Sequence, residues 1–78
     1  MANDKEIIQA IAEHLTLSPE DIDKEANLRE DLSLGLIELN DLLNALALKF
    51  DIIFNPEDIE NLHTVEDLVS LVEDNLIE

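Results

Sequence analysis

The sequence predicts an all-α chain: a four-helix bundle with three longer helices, one short third helix and a long first loop. Three observations predict it. Apolar residues recur at three- and four-residue spacing in separate stretches, and nowhere do they alternate as in a strand. Helix-capping residues stand just before those stretches, at Asn3, Asn55 and Thr64. Both prolines follow a capping residue directly and are followed by acids, as at the first turn of a helix. With 78 residues the chain has room for one domain, spanning 1–78, with a thin core.

The first helix is expected to start at Asn3, with Glu6 three residues later completing a capping box, and to end near Leu15 or Thr16. Ile7, Ile8, Ile11 and Leu15 form its apolar stripe, and Lys5, Gln9, Glu13 and His14 its polar face. An irregular stretch follows from Leu17 to Gly35. Ser18-Pro19-Glu20-Asp21 reads as a short helical turn, and Ile22, Leu28 and Leu32 are spaced to anchor the loop on the core. Gly35 is the only glycine and is expected to reverse the chain before the second helix. That helix should run from Leu36 to Phe50. Its buried stripe is read as Ile37, Leu42, Leu43, Leu46 and Phe50, which leaves Leu36, Leu39 and Leu48 on a second apolar face. Asn55-Pro56-Glu57-Asp58 starts the short third helix, which ends near Asn61. Thr64, with Asp67 three residues on, caps the last helix, whose buried face is Val65, Leu68, Val69, Val72 and Leu76.

Composition excludes several functions. Four basic residues against 20 acidic ones give a formal charge of −16. Phosphate backbones repel such a chain, so nucleic acid is excluded as a partner, and basic protein surfaces are favoured. No cysteine is present, so there is no disulfide framework, thiol nucleophile or zinc–thiolate site. No apolar run approaches the length of a membrane span, and the acidic N-terminus is not a signal peptide, so a cytoplasmic location is expected. His14 and His63 belong to no nucleophile or metal pattern. Asp21-Ile22-Asp23-Lys24-Glu25 begins like a calcium loop, but the positions that need glycine and glutamate hold Ala26 and Leu32. No metal site and no catalytic constellation emerge, and the chain is expected not to be an enzyme.

Across Ala26-Asn27-Leu28-Arg29-Glu30-Asp31-Leu32, Ile37 to Leu46, Lys49-Phe50-Asp51-Ile52, Pro56-Glu57-Asp58 and Thr64-Val65-Glu66-Asp67-Leu68, the chain resembles the acyl carrier proteins of fatty-acid and polyketide synthesis. The resemblance covers essentially the whole chain without gaps. It implies that the second helix opens on a family Asp-Ser-Leu motif whose serine bears a 4′-phosphopantetheine arm. Here that motif falls on Gly35-Leu36-Ile37, and leucine has no hydroxyl to form the phosphodiester, so no cofactor is expected in this register. In a second register, Ser33-Leu34 followed by Ile37-Glu38-Leu39 imitates the family pattern, and Ser33 would carry the phosphopantetheine. The resemblance also implies docking on basic surfaces of acyl-transfer or synthase enzymes through the second helix. Glu38 and Asp41 match the family's acids, whereas Ala47, Leu48 and Lys49 depart from them. The expected docking set is therefore Leu36, Ile37, Glu38, Leu39, Asp41 and Leu48. The same leucines could instead cover the long loop. A monomer is expected, with weak self-association through the leucines open.

Overall fold

A computed structural model of the protein describes residues 4–76. The described residues form four α-helices and one 3-10 turn: α1 (Asp4–Leu15), the turn (Pro19–Asp21), α2 (Leu36–Phe50), α3 (Pro56–Glu60) and α4 (Val65–Asn75). They contain no strand beyond one isolated bridge between Asn27 and Thr64. The expected first cap, Asn3, lies outside the described residues.

The core is one cluster. Ile7 and Ile11 of α1, Leu42 and Leu46 of α2, Val65, Leu68 and Val72 of α4, and Leu28 of the long loop are all fully enclosed. Among the described residues no polar side chain is buried with them. Such a core derives its stability from apolar area removed from water, with little help from interior polar contacts. In α1 the buried face also takes Ala10 and Ala12, while Ile8 and Leu15 are half-buried at its edge.

Two helices end on left-handed residues that are not glycine. Thr16 has φ 59°, and the Leu17 N–H reaches back to the Ala12 carbonyl at 2.8 Å. Asp51 has φ 56°, and the Ile52 N–H reaches Ala47 at 3.0 Å. Both are Schellman closures, and Ile52 is itself buried beneath the second one.

The long loop is fixed by hydrogen bonds to its own side chains and to α4. The Asn27 side-chain oxygen accepts from the Arg29 and Glu30 N–H groups, both at 2.9 Å. In return the Asp31 carboxylate accepts from the Asn27 N–H at 2.7 Å. The loop then supplies what α4 lacks. The first N–H groups of a helix have no partner inside it. Here the Val65 N–H donates to the Ala26 carbonyl at 3.0 Å and the Glu66 N–H to the Lys24 carbonyl at 2.9 Å. The next, that of Asp67, donates to the Thr64 hydroxyl at 3.2 Å. The Leu28 N–H completes the link by donating to the His63 carbonyl at 2.8 Å. Ile22 and Leu28 are buried and Leu32 is half-buried, so all three expected anchors touch the core.

Two carboxylate arrangements carry the main electrostatics of the frame. The Asp67 carboxylate accepts from the N–H groups of Thr64 and His63, each at 3.1 Å, and the Thr64 bond chiefly holds its pKa below the usual value. At the other end, Lys24 meets Asp4 at 2.7 Å. That contact, and a hydrogen bond shared with Glu73, lower the pKa of Asp4. The same shared bond pushes Glu73 up.

Candidate docking site at the start of the second helix

The loop delivers the chain to α2 in three steps. The Leu34 N–H donates to the Leu28 carbonyl at 3.1 Å, and Leu34 is buried, which spacing alone had not indicated. Ser33, just before it, is exposed and left-handed at φ 57°. Gly35 then caps the helix in extended backbone, φ −77° and ψ 176°, a conformation open to any residue. The expected reversal at Gly35 is thus corrected: the left-handed residue is Ser33.

Gly35 has no side chain to accept from the helix, so only half of a capping box exists. The Glu38 carboxylate accepts from the Gly35 N–H at 2.9 Å. A side chain at position 35 would bring its Cβ within 2.7 Å of that oxygen, so the flexible end of Glu38 would have to move. Leu36 is the first residue of the helix and is 62% exposed. Ser33 lies before the cap, outside the helix.

The faces of α2 differ from the expected ones. The buried residues are Leu39, Leu42, Leu43 and Leu46, an i, i+3, i+4, i+7 stripe. At about 100° per residue, Ile37 and Leu48 stand about 170° from the centre of that stripe. They are 84% and 85% exposed. Two expectations are corrected. Ile37 is not a core residue but points outward. Leu39, expected on the docking face, is buried and cannot be offered to a partner. Phe50 is half-buried at the helix end. Leu36, Ile37, Glu38, Asp41 and Leu48 are all at the surface.

Asp41 is tied to α1: its carboxylate lies 2.9 Å from His14 Nε2. This pairs the first helix with the outward side of the second. Lys49 lies in the last turn, where a cation suits the negative end of the helix dipole. An open cleft of about 310 Å³ runs beside α2 and is lined by Leu43, Ala47, Ile52, Ile53, Phe54 and Ile59, with Asn40 and Asn44 at its polar side. The sequence reading missed it, although the run Ile52-Ile53-Phe54 outside any helix was its signal. Among the described residues, no three His, Asp or Glu side chains gather to hold a metal ion, and no helix is long and apolar enough to cross a membrane.

Comparison with known proteins bears on the whole of this frame. The family model for the phosphopantetheine attachment site matches residues 5–72. The chain is 33% identical over 75 residues to an acyl carrier protein of Wolinella succinogenes, covering 96% of this chain and 99% of that protein. It is 34% identical over 71 residues to an acyl carrier protein of an Exiguobacterium species, covering 91% and 90%. It is 28% identical over 75 residues to one from Chlamydia trachomatis, covering 96% and 97%. Acyl carrier proteins are non-enzymatic carriers. With the helical frame and the match running nearly from end to end, this chain belongs to the acyl carrier protein family.

Proposed function

We propose that this chain is a non-carrying member of its family, a helical module that docks on acyl-transfer or synthase enzymes without bearing an arm of its own. The observation that carries the reading is the residue at the start of α2. Position 36, the first of the helix, follows the cap directly and is solvent-exposed, and it is a leucine. A phosphopantetheine arm is held through a phosphodiester to a side-chain oxygen, and the Leu36 side chain offers only carbon. The residues at the helix start therefore do not fit the group.

The docking face is the outward side of α2: Leu36, Ile37, Glu38, Asp41 and Leu48. The excess of acid over the whole chain favours basic partner surfaces and speeds encounter with them. A cytoplasmic site of action accompanies this reading.

The second reading is a genuine carrier, and one observation favours it. Ser33 is exposed and outside any helix, so its hydroxyl is reachable in the loop that leads into α2. In that case phosphopantetheine rides on Ser33.

The variant Leu36→Ser tests the first reading. With coenzyme A and a permissive phosphopantetheinyl transferase, it should gain one phosphopantetheine mass on the introduced hydroxyl, now in a Gly-Ser-Ile setting, where the parent chain gains none. A variant that stays unmodified, beside an ordinary carrier that is modified, would refute the missing hydroxyl as the cause.

A further inference from the structure

Asp4, Lys24 and Glu73 meet where three separate segments converge. Asp4 opens α1, Lys24 lies in the long loop after the 3-10 turn, and Glu73 stands in the second half of α4. α1 packs against both α4 and the 3-10 turn, so the meeting point lies on a seam of the bundle. Lys24 is held there from two sides. Its carbonyl accepts from the Glu66 N–H at 2.9 Å, which ties its backbone to the first turn of α4. Its ammonium donates to the Asp4 carboxylate at 2.7 Å, which ties its side chain to the first turn of α1.

The charges at this point do not balance. Glu66 and Glu73 are seven residues apart, so they share one side of α4, about 10 Å from each other along its axis. Both act on Lys24 together with Asp4, and Asp74 acts on Glu73 from the next position of the helix. Asp4, Glu66, Glu73 and Asp74 thus gather about a single cation.

Asp4 and Glu73 are also hydrogen-bonded to each other. Ionised carboxylates only accept, so one of the two must hold a proton for that bond to exist. The ammonium of Lys24 sits on Asp4 and keeps it ionised, which leaves the proton to Glu73. Above the lowered pKa of Asp4 and below the raised pKa of Glu73, every donor in the triad has an acceptor. As pH rises through the raised value, the shared proton leaves and the two carboxylates repel across the ammonium. The ion pair is nearly half-exposed, so protons reach it from solvent.

We infer that Asp4, Lys24 and Glu73 form a clasp that is closed in mild acid and loosens toward neutral pH, releasing the first turn of α1 from α4. The release is local. Ile7 and Ile11 are fully enclosed and hold the rest of α1 on the core whatever the state of the clasp. The clasp does not depend on whether the chain bears an arm.

Amide hydrogen exchange on the full chain tests it. Ile8 and Gln9 report on the clasp, since their N–H groups bond back to the first turn of α1. Leu46, enclosed in α2, reports on the core. Exchange is expressed as protection factors, and the ratio of Ile8 and Gln9 to Leu46 removes any change in overall stability. In the parent that ratio should fall by about two- to fivefold from mild acid to neutral pH, the scale of an exposed ion pair. Glu73→Gln keeps a donor toward Asp4 without the charge, so it should hold the mild-acid ratio at both pH values. Glu57→Gln, which removes an acid on α3, should respond as the parent does. Carbon-detected titration of the Glu73 carboxyl should move to lower pH in Asp4→Asn. A ratio that does not change in the parent, a change retained in Glu73→Gln or lost in Glu57→Gln, or a Glu73 midpoint unmoved by Asp4→Asn would each overturn the inference.

Discussion

Leu28 gives the sharpest stability test because it stands in a loop yet is fully enclosed among the core residues of the helices. Truncation to alanine removes three carbon atoms from a close-packed interior. Comparable core truncations cost about 2–5 kcal/mol, and about 3 kcal/mol is expected here. The backbone is not at issue, because the Leu28 N–H keeps its bond to the His63 carbonyl whatever side chain it carries. A domain of this length has about 4–12 kcal/mol of stability in total, so Leu28→Ala should consume a large part of it. At about 4–8 °C per kcal/mol for domains of this size, the melting temperature should fall by about 12–24 °C. Urea and thermal unfolding followed by far-ultraviolet circular dichroism provide the assay. The control is Leu17→Ala, at a loop leucine 42% exposed, which should stay within about 0.5 kcal/mol of the parent. If Leu28→Ala lost no more than Leu17→Ala, the loop would not be anchored through its side chain, and the positioning of the α2 start by that loop would fail with it.

Other expectations concern charge and caps. Thr64→Ala should cost about 1 kcal/mol, since the Asp67 N–H loses its acceptor. The pKa of Asp67 is lower in the folded chain than in the unfolded one, so its stabilisation is present above the usual carboxylate range and is lost as pH falls through the folded value. Asp67→Asn should therefore flatten the acid limb of the stability–pH curve, and an unchanged limb would contradict the assignment. Glu73 has the opposite sign: its folded pKa is raised by the contact with Asp4, so its effect favours folding only at low pH and is lost as pH rises through that value. Glu73→Gln should raise the melting temperature at neutral pH and not in acid, and a uniform gain would refute the pairing. Raising salt from about 0.05 M to about 0.5 M shortens the Debye length severalfold and should raise the melting temperature by screening the acids; a flat response would show that their repulsion does not limit stability.

The parts of the fold legible in the sequence are those set by local chemistry. Leu36–Phe50 was bounded by its apolar run, α3 by Asn55-Pro56 and α4 by Thr64 with Asp67, and each element begins where those residues place it. Local signals could not show that Ala26 and Lys24 lend their carbonyls to α4, because that link joins segments about forty residues apart. Nor could they place left-handed backbone at Thr16, Ser33 and Asp51, where glycine is the usual sign. The exchange of Ile37 and Leu39 arose from phase. At about 100° per residue, Leu39 falls on the stripe of Leu42, Leu43 and Leu46, whereas Ile37, five residues before Leu42, falls opposite it. The spacing of five was the misleading step, and the helical period selects Leu39. That correction bears on the site, since it removes Leu39 from the expected docking set and takes Ile37, already in that set, out of the expected core. The match to the family was legible from dispersed residues.

The measurement that bears most directly on the central claim is the intact mass of the parent chain after incubation with coenzyme A and a broad-specificity phosphopantetheinyl transferase, followed by peptide mapping. A non-carrying member should show no adduct while an ordinary acyl carrier protein in the same tube is fully modified. A single phosphopantetheine mapped to Ser33 would contradict the claim and make the loop before α2, not the helix start, the carrier site.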